Sequence, residues 1–197
     1  LGPLAALEPA PSLSAVLVVG AALFLVYLAK SIALHTTEIV VDAAKGRVPI
    51  VAGAASNDTK RAIALSKSAK RAGATHLLHT SPMYNKPPQR GIIAHYKAIA
   101  EAVDLPIVVY NVPGRTGSNI EAKTTLALAQ MPGITAIKEA SGNLGQIMDI
   151  LRDRPAGFSV LSGDDEMTLP VMAGGGDGII SVVSNATPRL MAELCEC

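Results

Sequence analysis

From Arg47 onward the chain alternates short apolar runs with longer amphipathic ones, and this alternation restricts its fold more than any other feature. The runs 48–52, 75–80, 106–111, 134–139, 158–162 and 178–182 read as short strands buried in a sheet. Between them lie helical patterns. Ile92, Tyr96, Ile99 and Val103 recur at three- and four-residue steps, the stripe of a helix laid on a sheet. Asn57, Asp58 and Thr59 offer N-cap side chains to the first helix, whose C′ position falls on Gly73. Further helices are predicted over 121–130, 144–152, 166–172 and 188–195.

Each strand with its helix takes about 25–30 residues, the length that returns a chain to a parallel neighbour. The six runs, with a seventh at 15–19, approach the eight strands of a (β/α)8 TIM barrel. A doubly wound open sheet would show the same alternation, but no GxGxxG follows the early strands. A complete barrel usually needs about 250 residues. The 197 residues therefore predict an α/β chain forming one incomplete barrel domain over 1–197, short of a first strand and of C-terminal helices.

The formal charge of +1, from 17 basic and 16 acidic residues without long runs of either sign, leaves no footprint for nucleic acid or an anionic membrane. A small ligand is the expected partner. The stretch 12–29 is uncharged and nearly all apolar, yet no basic cluster precedes it, and Gly20 interrupts it where a strand would end. A buried strand and helix are expected there rather than a membrane anchor. Cys195 and Cys197 lie too close together to close a useful disulfide loop and read as free thiols of a reducing, cytoplasmic compartment. The four histidines are scattered, so no metal site is expected.

In a barrel, the chemistry sits where the strands end at their C-termini. Lys138 ends an apolar strand, where desolvation disfavours the ammonium and yields a nucleophilic amine. Tyr110 ends the preceding strand and could relay protons to a carbinolamine; Arg115, in the turn after it, could grip a carboxylate. Gly174-Gly175-Gly176-Asp177-Gly178 precedes its strand and reads as a turn on the opposite face. Asp164 and Asp165, with Glu166, are expected to cap and charge a helix N-terminus.

The segments Tyr110-Asn111-Val112-Pro113-Gly114-Arg115-Thr116-Gly117, Ile137-Lys138-Glu139-Ala140-Ser141-Gly142-Asn143 and Leu161-Ser162-Gly163-Asp164-Asp165 resemble, in order and spacing, the motifs of the dihydrodipicolinate synthase family. Ser81-Pro82-Met83-Tyr84-Asn85-Lys86-Pro87 and Gly178-Ile179-Ile180-Ser181-Val182 fit the same family, and the resemblance runs from about Arg47 to the C-terminus. It implies a cofactor-free Schiff-base lyase, usually a homotetramer. Such an enzyme condenses pyruvate with L-aspartate 4-semialdehyde to 4-hydroxy-tetrahydrodipicolinate, on the diaminopimelate route to lysine. Lys138 matches the Schiff-base lysine and Tyr110 the proton-relaying tyrosine. Tyr84 matches a second tyrosine that is lent across a subunit interface. Arg115 matches the arginine that holds the semialdehyde's carboxylate, a residue the related N-acetylneuraminate lyases generally lack. Gly163 and Ile180 match walls around the bound keto acid.

Residues 1–46 diverge from the family. Its Gly-Thr-Thr-Gly-Glu segment, whose threonines bind the pyruvate carboxylate and complete the relay, falls on Gly20, Ala21, Ala22, Leu23 and Phe24, which bring no hydroxyl. Activity is accordingly expected to be impaired. Two other readings accompany the main one: another pyruvate-dependent aldolase, such as an N-acetylneuraminate lyase type, and a catalytically inactive barrel fragment.

Many relatives are inhibited by lysine held through an asparagine, a glutamate and a tyrosine. Here Asn57 matches, but Arg61 and Met83 stand at the other two positions, and a cation would face the inhibitor's ammonium. Calorimetric titration with lysine should therefore give no heat of binding at micromolar concentrations.

Overall fold

The computed structural model of the chain describes residues 35–196; the strand expected at 15–19 and the segment 20–24 lie outside the described residues. After helix α1 over residues 35–44, strands and helices alternate. They are β1 (Val51–Gly53), α2 (Thr59–Arg71), β2 (His76–Thr80), α3 (Gln89–Ala102), β3 (Ile107–Asn111), α4 (Pro113–Thr116), α5 (Ala122–Ala129), β4 (Ile134–Glu139), α6 (Leu144–Asp153), β5 (Ser159–Ser162), α7 (Thr168–Ala173), β6 (Gly178–Ile179) and α8 (Pro188–Glu196). The six strands form one sheet in the order β1-β2-β3-β4-β5-β6, and every neighbouring pair is parallel.

That order settles the architecture. A doubly wound sheet reverses its strand order at a switch point, whereas here each strand adds beside its predecessor with a helix between them, the progression of a (β/α) barrel. Among the described residues the sheet runs from β1 to β6 without closing on itself, a partial barrel. No helix among the described residues is long and apolar enough to cross a membrane.

Local chemistry sets the boundaries. Of the three candidate caps for α2, Asp58 does the work: its carboxylate accepts a hydrogen bond from the Arg61 amide at 2.7 Å. Gly73 follows the helix with φ +91°, and a Cβ there would come within 2.9 Å of Val41 Cγ1, so α1 packs against a position that only glycine fills. On α3 the stripe Ile92, Tyr96, Ile99 and Val103 is buried as its spacing predicts. Two strand boundaries lie three residues from those expected. The first strand begins at Val51, and the last ends at Ile179 rather than at residue 182. The last strand is cut short because the amides of Val182 and Val183 donate to the Asp165 carboxylate instead of continuing the ladder.

The core lies between sheet and helices. Leu77, Ile107, Val109, Ile137 and Val160 from the strands meet Ile92, Ile99, Leu128, Ile147, Ile150 and Val171 from the helices. Because side chains alternate along a strand, the residues between these turn the other way. The pairs Leu78↔Val108, Thr80↔Tyr110 and Tyr110↔Lys138 mark this inner face. The face depends on one irregularity. Ile107 pairs with Ile134, but Val108 pairs with Ala136, so the register slips and Thr135 has no partner across the ladder. Without that extra residue Tyr110 would lie beside Ile137, and Lys138 would share the opposite face with Asn111.

The core also holds a neutral histidine. His79 Nε2 lies 3.0 Å from Ser66 Oγ, whose hydroxyl donates to the Ala62 carbonyl at 2.8 Å, and Tyr96 Oη donates to the His79 carbonyl at 2.5 Å. Burial, helped by nearby His95, lowers the imidazole from 6.5 to about 4. The unfolded chain thus takes up a proton at a higher pH than the folded one. Stability linked to His79 is complete above about pH 6.5 and drains away as the pH falls toward 4. Urea unfolding should show a loss of about 2–3 kcal/mol attributable to His79 between pH 7 and 4; in a His79→Gln chain that part of the slope should vanish.

Candidate active site

Lys138 is the fifth residue of β4 and follows four residues with no charge, so the strand carries its stem inward while its amine reaches the C-terminal end of the sheet. It is 8% exposed. Tyr110 occupies the paired position on β3, and Nζ of Lys138 sits 4.4 Å from the centroid of its ring. Burial lowers the lysine's pKa from its usual value, and the negative charge of Asp165 partly opposes that. The Tyr110 phenol moves the other way: burial raises it, Arg115 pulls it down and Asp164 pushes it up again.

Gly163 closes one side of this pair. A Cβ at that position would stand 2.9 Å from both Cγ and Cε of Lys138 and from Cβ of Ala140, closer than carbon atoms pack. The lysine stem therefore lies across the glycine's backbone. Ile180, half-buried beyond β6, donates its amide to the Ser162 carbonyl at 2.9 Å and so lies beside the same strand end. Arg115 sits on the short helix α4, which starts at Pro113 and ends in left-handed Gly117. Its side chain is exposed, with the Tyr110 phenol within reach of its charge. The structure thus brings Lys138, Tyr110, Gly163, Ile180 and Arg115 to one mouth. Tyr84 stands apart. Its backbone adopts φ +70°, its amide donates to the Thr116 carbonyl at 3.2 Å, and its side chain is 84% exposed.

Two carboxylates take parts other than their sequence positions suggest. Glu139, next to Lys138, points into the helix layer. It accepts from Asn111 Nδ2 at 3.1 Å through both oxygens, from the Ser141 amide at 2.8 Å and from Gln146 Nε2 at 3.3 Å. Asn111 in turn accepts from the Ile120 amide at 2.9 Å, and Asn119 Nδ2 donates to Gln146 Oε1 at 2.8 Å. Burial raises the Glu139 pKa while these donors oppose the rise. The network ties the ends of β3 and β4 to the loop before α5 and to the first turn of α6. Asp165 was read as a helix cap. It opens a 3₁₀ turn (Asp165–Met167), but its carboxylate turns away to accept from Ser181 Oγ and from the amides of Val182 and Val183.

Among the described residues no three His, Cys, Asp or Glu side chains are grouped to hold a metal ion. Cys195 is a free thiol, and Cys197 lies outside the described residues.

The model of the dihydrodipicolinate synthetase family matches residues 12–197 of the chain. Among curated relatives, the 4-hydroxy-tetrahydrodipicolinate synthase of Koribacter versatilis is 55% identical over 155 residues, covering 78% of this chain and 52% of the relative. The chain spans about half the length of the curated relatives it matches. A solved dihydrodipicolinate synthase from Acinetobacter baumannii, chloride-inhibited and complexed with pyruvate, superposes with a TM-score of 0.83 at 42% identity, over 85% of this chain and 57% of the other. The enzyme of Cyanidioschyzon merolae, solved with lysine bound, gives 0.82 at 44% identity over 85% and 57%.

The crowding at Gly163 is directly testable. A Gly163→Ala chain must displace the Lys138 stem, because the added methyl faces two of its carbons at 2.9 Å. Modification of Lys138 by carbonyl reagents should fall at least about tenfold, roughly 1.4 kcal/mol or more of misplacement, as read by peptide mapping.

Proposed function

The chain belongs to the dihydrodipicolinate synthetase family, and from that premise we propose that it is a class I, Schiff-base-forming lyase. In this reading it condenses pyruvate with L-aspartate 4-semialdehyde to 4-hydroxy-tetrahydrodipicolinate, toward diaminopimelate and lysine. The observation that carries the proposal is Lys138: a buried amine with a depressed pKa, set over the Tyr110 ring and beside a glycine that leaves room for its stem.

The Lys138 lone pair adds to C2 of pyruvate. The resulting carbinolamine loses water to give a cationic imine, and loss of a C3 proton gives an enamine whose C3 attacks the aldehyde carbon of the second substrate. Each step moves a proton, and Tyr110, whose phenol stays protonated well into the alkaline range, is the donor and acceptor at the strand end. Arg115, exposed at the rim, grips the semialdehyde's carboxylate, and Gly163 and Ile180 wall the keto acid. The exposure of Tyr84 suits a side chain completing the site of a neighbouring subunit, as in a homotetramer. In the same reading the enzyme is cytoplasmic and free of a cofactor. Arg115 favours this reading over the N-acetylneuraminate lyase type, and substrate profiling of an Arg115→Ala chain separates the two.

Incubation with pyruvate and borohydride should add one reduced keto-acid unit, and peptide mapping should find it on Lys138. A Lys138→Ala chain should take up none. Adducts on a different lysine, or none on the parent chain, would remove the basis for the proposal.

A further inference from the structure

Asp165 lies just beyond β5, and its contacts reach across to the segment that leaves β6. The Ser181 hydroxyl donates to it, as do the amides of Val182 and Val183 at 3.1 and 3.3 Å. Ser181 Oγ also accepts from the Ser184 amide at 2.8 Å and so starts the turn Val183–Asn185. One carboxylate thereby fixes the chain that directly follows Ile180. These donors favour its ionised form and hold it below the usual carboxylate range.

The charge so fixed lies two residues beyond Gly163, against which the Lys138 stem packs, and each group shifts the other's titration in the sense of attraction. Among the described residues, the remaining groups around the amine are few. Tyr110 lies under it from β3; Arg115 from α4 and Asp164 from the end of β5 act on that phenol; Leu161 and Gly163 on β5 and beyond it carry no charge. A capturing amine must satisfy two opposed demands. It must be neutral to attack a carbonyl, yet the imine it forms is cationic. Burial alone serves the first demand and works against the second.

We propose that Asp165 is a positioning residue of the amine site, which clamps the segment after β6 beside the end of β5 and keeps a full negative charge near the Lys138 amine. The relevance of this charge to imine chemistry rests on the proposed function. The clamp and its effect on the amine do not.

Competitive labelling with acetic anhydride, read at the Lys138 peptide across a pH series, gives the midpoint at which that amine becomes nucleophilic and needs no keto acid. Asp165→Asn should lower the midpoint by roughly half a pH unit, since it removes the negative charge that attracts the Lys138 ammonium. Ser181→Ala keeps the charge, so its midpoint should stay near the parent's while hydrogen exchange at Val182 and Val183 speeds up. In the parent chain, salt near 1 M, where the Debye length is about 3 Å, should move the midpoint in the same direction as Asp165→Asn. This arm stands even if that variant does not fold. An unmoved midpoint in Asp165→Asn and at high salt, or an equal shift in Ser181→Ala, overturns the inference. A shifted midpoint without pyruvate trapping at Lys138 instead sinks the proposed function and leaves this inference standing; trapping with an unmoved midpoint does the reverse.

Discussion

The site depends on a slip of one residue between two strands. Between Ile107 and Val108 the partner on β4 jumps from Ile134 to Ala136, and Thr135 is left without an opposite number. In a parallel ladder, paired residues share a face, so this extra residue decides which side chains become neighbours. It lets Ile134 and Ile137 both enter the core against the helices, although they stand three positions apart, and still delivers Lys138 to the inner face beside Tyr110. The same slip sends Glu139 outward beside Asn111. One irregular residue thus sorts two adjacent charged side chains into two environments.

Those environments are complementary. On the inner face the lysine has an aromatic ring beneath it, and burial works against its charge. On the outer face the glutamate is almost fully buried, yet hydrogen-bond donors from β3, from the turn after β4 and from α6 converge on it. A buried carboxylate with its partners in place holds the surrounding chain in one arrangement, while one with a partner removed costs several kcal/mol. The strand ends that carry the lysine and the tyrosine are therefore braced from behind, by residues that never meet the space in front of them.

Much of this was legible in the sequence because it rests on local periodicity. The helical stripe of α3, the glycine after α2 and the apolar runs of β2 to β5 follow from spacings of two or of three to four residues, which the chain carries in itself. So does the suspicion falling on Lys138, a cation ending an apolar run. Asp165 shows where such reasoning stops. An acidic residue before a helix reads as a cap, and only the tertiary fold brings Ser181, Val182 and Val183 close enough to claim its carboxylate. Likewise the last strand continues in the sequence as Ile-Ser-Val, an apolar pattern fit to pair, but the amides of Val182 and Val183 are taken by that distant side chain. The register slip left no local signal either, since Thr135 is as acceptable in a regular strand as at an irregularity. Glu139 could have been inferred from alternation alone, given that Lys138 faces inward.

The missing side chain at Gly163 has a consequence for entropy. A lysine on an open surface explores many rotamers, and fixing it for reaction costs on the order of 2 kcal/mol. Here the stem passes over a bare α-carbon on one side and the amine over the face of Tyr110 on the other, so most of those rotamers are already closed before any ligand arrives. The folding of the chain has absorbed that loss of freedom. In the proposed reaction, a carbonyl that enters the mouth meets an amine with little left to order, and the barrier to bond formation is lower by the disorder the amine no longer has to give up.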